Sequence, residues 1–187
     1  MKISKSQRNN LIFLIVIALF IIPQTRLPIQ VLLNKGLALF GPSIIDSENR
    51  KVLDNYNWQL EDLDGKHFDY ASTQNKVVLI NFWATWCPPC IAEMPSLEKL
   101  HNDYKDKIIF LFVSNEEEEK ISRFIAKNEY SFIVYKAISK YPEDFNVTSI
   151  PRTFLIDKKG NIIIDKSGAS NWNSEKVRTI IDQLLSE

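Results

Sequence analysis

Cysteine is scarce in this chain: 187 residues contain only two, Cys87 and Cys90. A small secreted scaffold stapled by bridges needs more of them. None is left over for a second disulfide or for attachment of a lipid. Histidine is equally rare, with His67 and His101 alone, both read as ordinary surface residues. A structural zinc site takes four ligands, and no second Cys-x-x-Cys exists to supply them. A c-type haem needs histidine directly after the second cysteine, where this chain has Ile91. Excess charge is also missing. The 23 basic and 23 acidic residues cancel, so no basic surplus points to nucleic acid, whose phosphates need one. Repeats and low-complexity tracts are absent. What remains is a chain 45% hydrophobic and 11% aromatic, enough to exclude wholesale disorder, with a length that suits one domain plus extras.

The first ten residues are polar and carry Lys2, Lys5 and Arg8; residues 11–22 are then apolar without a break, up to Pro23. A basic region before an apolar run is the pattern of an export signal. A cleaved signal wants small residues after the run, and Pro23-Gln24-Thr25-Arg26 offers none. A spanning helix wants roughly 20 apolar residues, so the expectation is an uncleaved signal anchor whose ends, including residues 23–28, complete the span. Positive charge stays in the cytoplasm, which places the rest of the chain outside it. Residues 27–45 read either as an amphipathic helix on the outer membrane face or as a stalk against the domain, and 43–55 as a polar linker. The expected division is a basic region and anchor over 1–26, a juxtamembrane segment and linker over 27–55, and a globular domain over 56–187.

Within 56–187 the pattern alternates. Trp58, Leu60 and Phe68 around Asp64-Gly65 predict a hairpin. Residues 77–82 and 108–113 are continuous apolar runs, as in strands buried on both faces. Ile91, Met94, Leu97, Leu100 and Tyr104 stand at helical spacing, with Pro95 predicting a kink. The acidic run 116–119 suits the positive end of a helix carrying Ile121, Phe124 and Ile125. A strand over 131–137, a short turn over 140–145, a hairpin over 153–164 and a closing helix around Val177–Leu185 complete a mixed α/β sheet.

The two cysteines lie in Trp86-Cys87-Pro88-Pro89-Cys90, directly after a predicted buried strand. At the start of a helix this spacing brings the Cα atoms to about 5 Å, within disulfide range. There Cys87 meets unpaired amides and the helix dipole, which favour its thiolate. Cys87 is thus the attacking sulfur, and Cys90, one turn deeper, resolves the mixed disulfide. Pro88 suits the first helical turn, where its missing amide costs nothing.

Asn81-Phe82-Trp83-Ala84-Thr85-Trp86-Cys87-Pro88-Pro89-Cys90 resembles the active-site segment of thioredoxin-fold proteins, and most of all the TlpA/ResA group of membrane-tethered, extracytoplasmic thiol–disulfide oxidoreductases. The likeness runs from about Trp58 to the C-terminus. Pro95 falls at the group's kink proline, Ile150-Pro151-Arg152-Thr153-Phe154 resembles its cis-proline loop, and 116–137 its helix–strand insertion. The resemblance implies a thioredoxin-like α/β fold behind an N-terminal membrane helix, with Cys87 and Cys90 catalytic. It further implies that Glu93, three residues past Cys90, handles the resolving thiol's proton, where thioredoxin proper uses a buried aspartate at the position of Asn81. Trp86, Pro88, Pro89, Ile150 and Pro151 would then bind substrate. Arg152 departs from the group's usual smaller residue, and either helps hold the Cys87 thiolate or faces water. The implied partners are cysteine-containing proteins and a membrane or extracytoplasmic thiol electron donor, with no cofactor and no metal. Reduction, for example of apocytochrome c, is the implied direction. Oxidation or isomerisation of secreted proteins, a non-catalytic binding module and a metal chaperone remain the alternatives.

Overall fold

Helix α1 (Lys5–Ile21) opens on a capping box in which Ser4 and Gln7 satisfy each other's backbone amides. It stops at Ile22, which is extended (φ −71°, ψ 118°), because the proline that follows disfavours helical backbone before it. Pro23 then occupies the first turn of α2 (Pro23–Leu37), where it lacks nothing. The two helices meet at 91°. This computed structural model describes residues 4–145 and 147–187, so Lys2 of the basic region lies outside the described residues.

The bend corrects one expectation. Residues 23–28 do not continue the axis of α1 and so do not lengthen it. Among the described residues no single helix is long and apolar enough to cross a membrane, although α1 and α2 taken together across their bend have the length and composition for it.

The segment expected as a free linker is tied down. Ile45 N–H donates to the Ile163 carbonyl at 2.9 Å, Ile162 N–H to Lys51 at 2.8 Å, and Leu53 N–H to Gly160 at 2.9 Å. Leu53 is buried. Composition hid this, because backbone pairing along a sheet edge needs no particular side chain.

Seven strands form one mixed sheet in the order β2-β1-β5-β4-β3-β6-β7. They are β1 (Gln59–Asp62), β2 (His67–Asp69), β3 (Val78–Phe82), β4 (Ile109–Val113), β5 (Val134–Ala137), β6 (Arg152–Ile156) and β7 (Ile162–Ser167). Helices α3 (Pro88–Tyr104), α4 (Glu118–Asn128) and α5 (Glu175–Ser186) complete the domain. β3 runs parallel to β4 and antiparallel to β6, and β5 links β4 to the β1–β2 hairpin. The helix–strand unit α4–β5 fills the stretch 116–137 that the resemblance marks as an insertion.

Central β3 is buried throughout. Val78, Ile80 and Phe82 enter an aromatic-rich cluster with Trp58, Tyr70 and Phe145. Leu79 faces the opposite cluster, built with Met94 and Leu97 of α3 and Ile181 of α5. Each such buried side chain stabilises the fold by about 1.5–3 kcal/mol. The topology also sets the position of the site. The chain leaving β3 after Phe82, the chain leaving β4 after Val113 and the chain entering β6 at Arg152 all meet at one end of the sheet.

Candidate active site

Cys87 is the N-cap residue of α3, extended (φ −92°, ψ 107°), with Pro88 in the first turn. Its sulfur accepts a hydrogen bond from Cys90 N–H at 3.3 Å, as the unpaired amides of a helix start allow. The two cysteines form a disulfide with a Cα–Cα separation of 5.3 Å. Both sulfurs lie in the buried cluster against α3, while neighbouring Trp86 is 64% exposed. The Ile150–Pro151 peptide bond is cis, and the Ile150 carbonyl oxygen stands 3.7 Å from Cys87 Sγ. The residues expected to bind substrate lie around the pair. Trp86 and Ile150 line a cavity of about 340 Å³ with Phe82, Val113, Glu116 and Tyr141. Pro88 and Pro89 line a second, on the α2 side.

Glu93 is fully buried one turn beyond Cys90. Its Oε2 accepts from Trp172 Nε1–H at 2.9 Å and Ser170 N–H at 3.2 Å, and its Oε1 from Asn81 Nδ2–H at 2.9 Å. Burial pushes the carboxyl up to about 8, against the opposing pull of these three donors. Asn81 also donates to Thr153 Oγ1 at 2.7 Å. Its own Oδ1 is buried without a partner, so turning the amide over would present an acceptor to a protonated Glu93. The loop that holds Glu93 begins at Gly168, whose φ of +80° suits glycine. It reaches beyond the site as well, since Ser170 Oγ–H and Asn171 N–H both donate to the Phe40 carbonyl, at 2.9 and 2.8 Å.

One acidic and two basic residues differ from expectation. Glu116 is not part of the helix start, since α4 begins at Glu118. Its carboxylate instead accepts from Thr85 Oγ1–H at 2.8 Å and from Thr85 N–H, fixing the turn before Cys87. Nothing in a run of four glutamates marks the first for this task; only the meeting of the β3 and β4 ends does. Trp172 and Ser170 were missed for the same reason, being 79 and 77 residues from Glu93 in sequence. Arg152 pairs with Asp165 on β7 and stacks over Phe154, so its charge is committed away from Cys87. His101 is half-buried edge-on to Phe110 at 5.1 Å, and that burial lowers its pKa. Only His67, beside Glu61, remains a surface histidine. Among the described residues no three His, Cys, Asp or Glu side chains gather as a metal-holding cluster.

Comparison with known proteins agrees with this arrangement. The thioredoxin-like protein YneN of Bacillus subtilis is 38% identical over 110 residues, 57% of this chain, and the matched stretch spans 65% of YneN. The thiol-disulfide oxidoreductase ResA of Bacillus thuringiensis is 29% identical over 161 residues, 84% of this chain and 87% of that protein. Among solved structures, a Bacteroides vulgatus protein described as a thiol-disulfide oxidoreductase superposes with a TM-score of 0.56 at 33% identity, over 67% of this chain and 90% of its own. The Redoxin family profile matches residues 42–184, which include the segment tied to β7, the disulfide pair and the Glu93 pocket, and the chain belongs to the Redoxin family.

Proposed function

We propose that this chain is a membrane-anchored, extracytoplasmic protein disulfide reductase acting through Cys87 and Cys90. The observation that carries the reading is the Cys87 sulfur at the head of α3, accepting the Cys90 amide at 3.3 Å. In the reduced enzyme that amide and the helix dipole favour the Cys87 thiolate. The thiolate attacks one sulfur of a substrate disulfide, forming a mixed disulfide and releasing the other sulfur as a thiolate. Cys90 then gives up its proton and attacks Cys87 Sγ. The Cys87–Cys90 disulfide forms, and the second substrate sulfur leaves as a thiolate that takes a proton from water. A thiol pair on an electron donor reverses these steps and regenerates the enzyme.

Glu93 is the acceptor for the Cys90 proton. With its pKa raised to about 8 by burial, Glu93 can take up and hold that proton near neutral pH, as a general base needs. The Ile150 carbonyl beside Cys87 and the groove at Trp86 suit an extended substrate segment, paired as an added strand. By resemblance to the ResA group, the substrates include apocytochrome c cysteines awaiting haem.

The anchor is α1. Its apolar stretch, residues 11–21, is roughly 16 Å long at 1.5 Å each, about half of the ~30 Å hydrocarbon core, so α1 crosses only where the bilayer thins locally around it. The reduction potential of the pair tests the direction: a value near thioredoxin's, about −270 mV, is expected, and one near DsbA's, about −120 mV, would establish the oxidase reading instead. A reporter fused after Glu187 should be active only outside the cytoplasm, and activity inside would sink the topology.

A further inference from the structure

Helix α2 has two different faces. Leu27, Val31 and Asn34, at helical i, i+4, i+7 spacing, are half-buried, as is the C-cap residue Ala38, where α2 packs along α3. On the opposite side, Leu32 and Leu33 are 70% and 62% exposed, while Thr25 and Ile29, which share their face by spacing, are half-buried. Thr25 Oγ1–H donates to the Leu19 carbonyl at 2.7 Å, so α1 departs from α2 on this outward side. Leu39 and Phe40, just past the helix, are exposed as well.

The bilayer is the occupant that fits this face. An α1 aligned with the membrane normal places α2 in the plane of the surface, because the two meet at 91°. The face is continuous with α1, whose Leu11, Phe13 and Leu14 are exposed. Charge agrees: the first acidic residue of the chain is Asp46, whereas Arg26 and Lys35 lie on α2, which suits an anionic lipid surface. The active site lies at the elbow. Ile21 and Arg26, with Leu27 and Asn34 of the α3-facing side, share a cavity of about 660 Å³ with Trp86, Pro88 and Pro89, so the site sits just above the docked helix. Exposed tryptophan is the residue that favours the lipid–water boundary.

We infer that the outward face of α2 docks on an anionic bilayer and thereby holds the Cys87–Cys90 site at the membrane surface. This rests on the anchored reading above and adds an orientation to it: the dithiol works on sulfurs presented at the lipid boundary rather than far from it.

The chain carries its own probe, since Trp86 is exposed while Trp58, Trp83 and Trp172 are buried. The full-length protein is reconstituted into phosphatidylglycerol/phosphatidylcholine vesicles, with and without bromines near the top of the acyl chains. Tryptophan fluorescence should be quenched by the brominated lipid, and Trp86→Phe should lose that quenched component. Leu32→Glu/Leu33→Glu should still float with the vesicles through α1 but lose the quenching. Flotation without quenching, or quenching unchanged in the double variant, overturns the inference while leaving the anchor intact. Failure to float removes the anchor and the inference together. A doubled mass in detergent that the double variant abolishes, with no quenching, would assign the face to a second copy instead.

Discussion

Trp172 donates its indole N–H to Glu93 Oε2 at 2.9 Å, joining a loop after β7 to the helix that starts at the dithiol. Ser96 Oγ tightens the same junction, donating to the Glu93 carbonyl and accepting from Trp172 N–H. The carboxyl is therefore held in place from outside its own helix, and its titration depends on partners far away in sequence.

Trp172→Phe keeps an aromatic ring in the pocket and removes that donor. A hydrogen bond to a charged group contributes about 1.5–3 kcal/mol, so the Glu93 pKa should rise by roughly one to two units. Resolution of mixed disulfides near neutral pH should slow accordingly and recover as pH is raised. Stopped-flow measurement across pH 6 to 10, roughly the range spanned by these groups, would show this. A uniform loss at every pH would mean the indole only fills space.

The buried carboxyl also couples to stability. The folded pKa of Glu93, about 8, lies above its ordinary value of 4.5, so the folded state binds the extra proton between those values. Its contribution is fully present below pH 4.5 and is lost as pH rises through about 8. Thermal melting of the oxidised protein should fall over that window, and Glu93→Gln should flatten the fall. Parallel melting curves for the two proteins would show that Glu93 does not titrate there.

The cysteines have separate tasks. Cys87→Ser should abolish reduction of insulin disulfides. Cys90→Ser should retain the attack and accumulate mixed disulfides, detectable as mass adducts. Adducts on the Cys87 variant rather than the Cys90 variant would reverse the two roles.

The domain's contacts extend upstream of Tyr56. A soluble fragment beginning at residue 43 should be more stable than one beginning at residue 56. The shorter fragment loses the pairing of Ile45, Lys51 and Leu53 with β7 and its turn, and the burial of Leu53. The leucine alone contributes about 1.5–3 kcal/mol. Equal denaturation midpoints would mean that the segment lies on the domain without stabilising it.

The order of elements and the dithiol are legible in local patterns of residues. Apolar runs at 78–82 and 109–113 form the central strands, helical spacing from Ile91 to Tyr104 forms α3, and Cys-Pro-Pro-Cys at its head forms the redox pair, because each is a local pattern with a local physical cause. Pro23 likewise dictated where α1 must stop. The surroundings of the pair come instead from long-range packing. Glu116 joined Thr85 because β3 and β4 end side by side. Trp172 and Ser170 met Glu93 because the chain after β7 passes over α3, and Arg152 turned to Asp165 because β6 and β7 are neighbours. Hydrogen-bond partners separated by dozens of residues leave no periodicity in the chain, so their pairing exists only once the sheet has brought its ends together.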